Sequence, residues 1–200
     1  MSTAEPDLEL ELDPDPGWYP VPEYEDEVNT WASWLVRELA GPDAGADDVR
    51  ATVEDVRAHA RRAHQLQVEL AFVFLPDPLG PVVASCHVEL VFGAAGDLPD
   101  QAAIAAVLSQ RRPEHVDLPA VGPVLLTAGP AVRQQVMGAE DGVVVESVTH
   151  VVTVPGMDDA LLRTTTSWWA LGLGEALAER ADRMAAALVV RTSSCSDPAP

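Results

Sequence analysis

The chain has 200 residues, 32 acids and 12 bases, for a formal charge of −20, and 48% of its residues are apolar. That is enough to build a core, since a compact chain of this size buries roughly 70% of the surface it would expose unfolded. The charge excludes the usual nucleic-acid binder, whose affinity comes from neutralising phosphates. No apolar run approaches the ~20 residues that span a bilayer.

The start, MSTAEPDLELELDPDP, has neither the basic nor the apolar part of a signal peptide, so the expected location is cytoplasmic. Residues 1–30 hold ten acids and no base, half of the net charge. Leu8, Leu10 and Leu12 alternate with acids, and Pro14, Pro16, Pro20 and Pro22 follow. Composition therefore predicts an acidic, Pro/aromatic-rich flexible arm over 1–27, a single domain over 28–191 and a disordered tail over 192–200. All 12 bases are arginine, which with abundant alanine is the mark of a GC-rich bacterial genome. Within the arm, Trp18, Tyr19 and Tyr24 either dock on a partner or strap onto the domain's own surface.

Asn29 or Thr30 can cap a helix through Ala40, with Val28, Trp31, Leu35 and Leu39 at helical spacing and Gly41-Pro42 ending it. A second helix starts at Asp47-Asp48 and keeps Val49, Val53, Val56, Ala60 and Ala63 in period to His64. Its opposite face carries Arg57, Arg61 and His64, with Arg62 at the edge: a basic stripe that either holds the acidic arm or an acidic partner, or is simply solvated.

Then the period becomes two. Val68, Leu70, Phe72 and Phe74 share a side. After the turn at 76–80, Val82, Ala84, Cys86, Val88, Leu90 and Phe92 share a side, with Ser85, His87 and Glu89 opposite. A turn at 93–96, a helix from residue 99 or 100 to 110, and strands over 124–127, 131–137, 143–154 and 161–168 follow, the last two joined by a hairpin connection at 155–159. A closing helix over 171–189 carries Leu173, Leu177, Ala181, Met184 and Leu188 as its apolar stripe. The pattern predicts an α+β fold: a mostly antiparallel sheet of about five to six strands with helices packed on one face, a two-layer sandwich.

The run Leu125-Leu-Thr-Ala-Gly-Pro-Ala-Val-Arg133, the strand ending in Val154-Pro-Gly156, Leu161-Leu-Arg-Thr-Thr-Thr-Ser167 and the alanine-rich closing helix resemble a group of actinobacterial proteins. Their layout is similar to the PsbP-like superfamily of small α/β sandwiches that bind partner proteins or act as assembly accessories. The resemblance spans about residues 66–190, rests on strands and turns, and implies a binding or accessory role.

No catalytic constellation emerges. Cys86 falls on the apolar side of its strand and His87 on the other, so they cannot serve as nucleophile and base. Cys195 has no base near it in sequence. Ser109, Ser147 and Ser167 lack a nucleophile-elbow context, and Gly172-Leu-Gly174 lacks the third glycine of a dinucleotide fingerprint. Glu146 and His150 share a strand side about 13 Å apart, so a metal would need His87 or Glu89 paired across strands with one of them.

The expected function is a non-enzymatic protein-binding accessory, an adaptor or chaperone-like protein, with no cofactor and no metal. Its partner-contacting candidates are Trp18, Tyr19, Tyr24, Trp169, Arg57, Arg61, His87 and Glu89, and it uses a sheet face carrying Glu69, His87, Glu89, Arg133, Glu146 and His150. One alternative is a small-molecule or lipid-binding α+β domain, with or without weak enzymatic activity. It requires a pocket between helices and sheet into which His87, His150 or His115 turns, and a deep cavity lined by two or more histidines and a carboxylate would favour it. The other alternative is a homodimeric structural protein.

Overall fold

The computed structural model describes residues 7–93, 98–140, 142–154 and 159–193. Within them the order is β1 (Asp7–Leu12), β2 (Trp18–Pro20), α1 (Val28–Ala40), α2 (Ala46–Leu66), β3 (Leu70–Phe74), β4 (Ala84–Phe92), α3 (Gln101–Leu108), β5 (Ala120–Leu126), β6 (Gly129–Glu140), β7 (Val143–Thr153), β8 (Ala160–Trp168), α4 (Gly174–Ala187) and β9 (Leu188–Ser193). The fold is α+β. Seven strands form one sheet in the order β2-β3-β4-β8-β7-β6-β5, every neighbouring pair antiparallel. β1 and β9 form a separate two-stranded ribbon.

The seventh strand of the sheet and the ribbon both draw on residues that composition marked as a flexible arm. β2 adds Trp18, Tyr19 and Pro20 opposite Phe74, Val73 and Phe72 at the sheet edge. Gly17, at φ +92°, permits that approach: a Cβ there would sit 2.8 Å from the Phe74 ring. Leu10 and Leu12 of β1 pack into the apolar layer beside Leu188. The acid–leucine alternation is thus a strand's own period, with leucines inward and acids outward. At the other end the expected tail begins inside β9, and residues 194–200, including Cys195, lie outside the described residues, as do 94–97 and 155–158 in the two expected turns.

Local signals explain most elements. α1 buries Val28, Ala32, Leu35 and Val36 along one stripe, and α2 buries Val53, Val56, Ala60 and Ala63. Asp100 caps α3, its Oδ1 accepting from the Ala103 N–H at 2.8 Å. α4 buries Leu177, Ala181 and Met184, whereas Leu173 is exposed ahead of it and Leu188 is the first residue of β9.

Helices lie against both sheet faces. On the first, α4 packs on Phe72, Phe74, Ala84, Cys86, Val148 and Trp168, and the ribbon continues the cover over Val88, Ala131, Val152 and Leu162. On the second, α1 and α2 cover Val73 and Leu75 at one end, and α3 covers Val132, Val151 and Leu161 at the other. Val82 belongs to the α1–α2 layer rather than to the side of Cys86, because its N–H donates to Asp55 Oδ2 on α2 at 2.7 Å before the β4 ladder begins.

Candidate functional site

Between α2 and α3 the second face is uncovered, and a cleft of about 600 Å³ opens there. Its floor follows from strand register. Ser85, His87 and Glu89 of β4 stand opposite Ser167, Thr165 and Arg163 of β8, so three polar rows cross the sheet side by side. Two strands with period-two polarity, paired in this register, make a hydrophilic floor on this face of the sheet. Val143 and Val145 of β7 extend it with apolar surface. The roof comes from α2 and the turn after it: His59, Arg62, Leu66 and Val68. That turn is sharp, with Gln67 in the left-handed region at φ 54°.

Trp169 closes one end. Its ring stacks on His59, with centroids 4.8 Å apart and planes 17° apart. His59 is held in place by Asp55, whose backbone carbonyl lies 3.0 Å from Nδ1. On the floor, Arg163 donates to Glu89 at 2.5 Å, which holds the guanidinium in its charged form. Burial pushes the His87 pKa below the usual histidine value, and Arg62 and His59 nearby push the same way against the opposing pull of Glu89. His87 is therefore a neutral ring at neutral pH, with one nitrogen to donate and one to accept.

The opposite face holds a second polar cluster, reaching from buried His150 and Thr164 to a partly exposed Asp182. Asp182 of α4 accepts from Arg133 Nε at 2.7 Å and lies 3.0 Å from His150 Nε2. Arg133 also donates to Gln135, which donates to Glu146 at 2.7 Å; Glu146 accepts the Trp168 indole N–H at 3.2 Å as well. Gly174 opens α4 directly over that carboxylate, where a Cβ would come within 2.7 Å of Glu146 Oε2. Thr164 Oγ1 lies 3.4 Å from His150 Nδ1. Hydroxyl, imidazole and carboxylate thus stand in the order of a nucleophile, a base and its orienting acid. Yet Thr164 and His150 are 3% and 2% exposed, so no substrate reaches them. This cluster clamps α4 to the sheet.

The expected polar sheet face is consequently two faces. His87 and Glu89 lie in the cleft, while Arg133, Glu146 and His150 lie under α4. Cross-strand ligation of one ion by members of both sets is excluded, and among the described residues no group of three or more His, Cys, Asp or Glu could hold a metal. Cys86 is buried beneath α4 with its thiol pushed up to about 11 by burial, a small core residue rather than a nucleophile.

Of the residues expected at a partner surface, the structure gathers His87, Glu89 and Trp169 in the cleft. Trp18 is buried against Phe74, ring centroids 5.0 Å apart, which removes it from any partner surface. Tyr19 packs partly into the α1–α2 layer, and Tyr24 is exposed. Arg57 pairs with Glu54 at 2.6 Å, and Arg61 donates to Asn29 at 3.0 Å. The acidic residues near the amino end meet other arginines: Asp15 pairs with Arg183 of α4 at 2.6 Å and Glu11 with Arg191 of β9 at 2.8 Å. His115 sits in a bridge beside Gly138 and does not line the cleft. His59, Arg62 and Leu66 were missed as site residues. Arg62 stands in the sequence only at the edge of the basic stripe; the spacing of three and four that links it to His59 and Leu66 is the signal that could have joined the three.

No protein-family model and no curated protein matches this sequence. In structure, the chain is similar to LpqN, a protein involved in cell envelope biogenesis of Mycobacterium tuberculosis. The TM-score is 0.53 at 11% identity, over 92% of this chain and 84% of that one. At this identity the likeness is one of fold. Among the described residues, no helix is long and apolar enough to cross a membrane.

Proposed function

We propose that this protein is a non-enzymatic binding domain that holds a small ligand in the cleft between α2 and the sheet and acts as an accessory to a larger process. One observation carries this reading. The first sheet face is filled by α4 and the ribbon, while the second is left open over a polar, registered floor, with His87 and Glu89 on that floor and His59 above it. A volume of about 600 Å³ lies within the ~300–1,000 Å³ typical of small-molecule sites. Catalysis is disfavoured because His87 has no partnered nucleophile: the nearby Thr165 hydroxyl is turned to Thr149 at 3.3 Å, and the Cys86 thiol is on the other face. The accessory role agrees with the part LpqN takes in cell envelope biogenesis.

Native mass spectrometry of the protein taken gently from its own cells tests the reading. A retained small molecule that Trp169→Ala releases is the expected result; a bare protein whose cleft signals respond to no fraction of the cell extract overturns it.

A second reading, a protein partner, has Trp34 in its favour. This tryptophan is 59% exposed on α1, beside Arg37, and large aromatics at such positions serve as contact anchors. Trp34→Ser would then abolish co-purification of the partner without changing the unfolding midpoint.

A further inference from the structure

Two acceptors meet the same nitrogen of His59. The Asp55 carbonyl oxygen lies 3.0 Å from Nδ1, and the carboxylate oxygen Oδ1 of Asp55 lies 3.6 Å from it. A carbonyl oxygen only accepts, so Nδ1 carries a proton and donates. Asp55 is itself held, because its other carboxylate oxygen accepts the N–H of fully buried Val82 at 2.7 Å. The ring is fixed further by its stack on Trp169. In a neutral imidazole the hydrogen bond made by one nitrogen sets the role of the other. Nε2 of His59 is therefore left with its lone pair.

Nδ1 is turned back to α2, and Nε2 lies at the tip of the side chain, where the ring lines the cleft. The other acceptors there are engaged or can change role. Glu89 takes the Arg163 guanidinium, and the Thr165 hydroxyl is turned to Thr149. The Ser85 and Ser167 hydroxyls donate or accept by rotating, and a neutral His87 ring does so by moving its proton between nitrogens. His59 alone among these has its role set before a ligand arrives. Around it, Leu66, Val68, Val143 and Val145 offer apolar surface. We propose that His59 is the specificity-determining residue of the cleft: its Nε2 accepts a hydrogen bond from an N–H or O–H of the bound molecule, and so selects a ligand with a donor set beside an apolar body. This rests on the cleft being the ligand site and adds which group the site selects.

NMR of the full chain with labelled histidine ring nitrogens, in mildly alkaline solution, reads the tautomer directly. The expected spectrum of His59 has Nδ1 protonated and Nε2 bare; a proton on Nε2 overturns the proposal. Titrations with indole and with benzofuran follow, two rings of nearly the same shape of which only indole has an N–H. Indole is expected to shift Nε2 of His59 and to bind about fivefold more tightly than benzofuran, the worth of one neutral hydrogen bond gained in exchange for water. The factor is modest because the His59 side chain is 21% exposed, so water serves Nε2 in the empty site. His59→Phe keeps a ring against Trp169 but has no acceptor, and brings indole down to the affinity of benzofuran. The comparison of the two probes in the parent chain stands even if that variant fails to fold. Equal binding of both probes, with cleft signals moving, overturns the acceptor role and leaves the cleft as a ligand site. If neither probe moves the signals of His59, His87 or Trp169, both readings are overturned.

Discussion

The strands β4 and β8 build two unlike surfaces from alternate residues. On one side Cys86, Thr166 and Trp168 are shut under α4; on the other His87, Thr165 and Trp169 line an open cleft. Neighbouring tryptophans show the contrast most directly. Trp168 is fully buried, with its indole N–H on Glu146. Trp169 is half-buried and stacks on one histidine. A period of two lets one strand serve stability and binding at once, provided the covering elements treat the two faces differently.

The largest expected effect separates those tryptophans. Trp168→Ala opens a cavity beneath α4 and leaves the Glu146 carboxylate short of a donor, for a loss of about 3–5 kcal/mol in urea unfolding. Trp169→Ala costs about 1 kcal/mol, since the site is already open, but removes the wall that the His59 ring leans on and with it ligand retention. Equal losses of stability would break the division of labour between the faces.

Much of this division was legible in the sequence. Alternation over 84–92 placed Cys86 and His87 on opposite sides, and the structure has the thiol in the core and the imidazole in the cleft. The meander of β5 to β8 follows from short connections, and α3 from Asp100. Relations between strands were not legible. His87 and His150 each sit on a definite side of their own strand, but which sides coincide depends on register, and β4 reaches β7 only through β8. Composition averages over residues, whereas the alternation of Leu8, Leu10 and Leu12 belongs to β1, which pairs with β9. Nothing local announces that α2 will set His59 on Trp169, a contact made across more than a hundred residues of chain.

Acid should strain both faces by the same physics. Burial holds the pKa values of His150 and His87 below the ordinary value, for His150 despite the opposing pull of Asp182. The unfolded chain then takes up protons first as pH falls through about 6.5. Stability is complete above that pH and declines below it, by at most about 1.4 kcal/mol per pH unit for each histidine, until the folded form is protonated too. Unfolding free energies measured from pH 7.5 to 5.0 should show the decline, and His150→Gln and His87→Gln should each flatten it relative to the parent. Parallel slopes in the parent and both variants would refute this.

The smallest effect concerns what fastens the amino-terminal strands to the closed face. Arg183 and Asp15 pair at 2.6 Å but are 50% and 34% exposed, so the pair contributes under about 1 kcal/mol and is screened by salt. Leu12, by contrast, packs into the layers on both sides of the α4–ribbon junction. Arg183→Gln should leave the unfolding midpoint nearly unchanged and insensitive to added salt, while Leu12→Ala should increase hydrogen exchange along β1 and β9 without touching the cleft. If salt alone freed those strands, charge rather than the leucine alternation would be what seats them, and the closed face would be open to regulation by ionic strength.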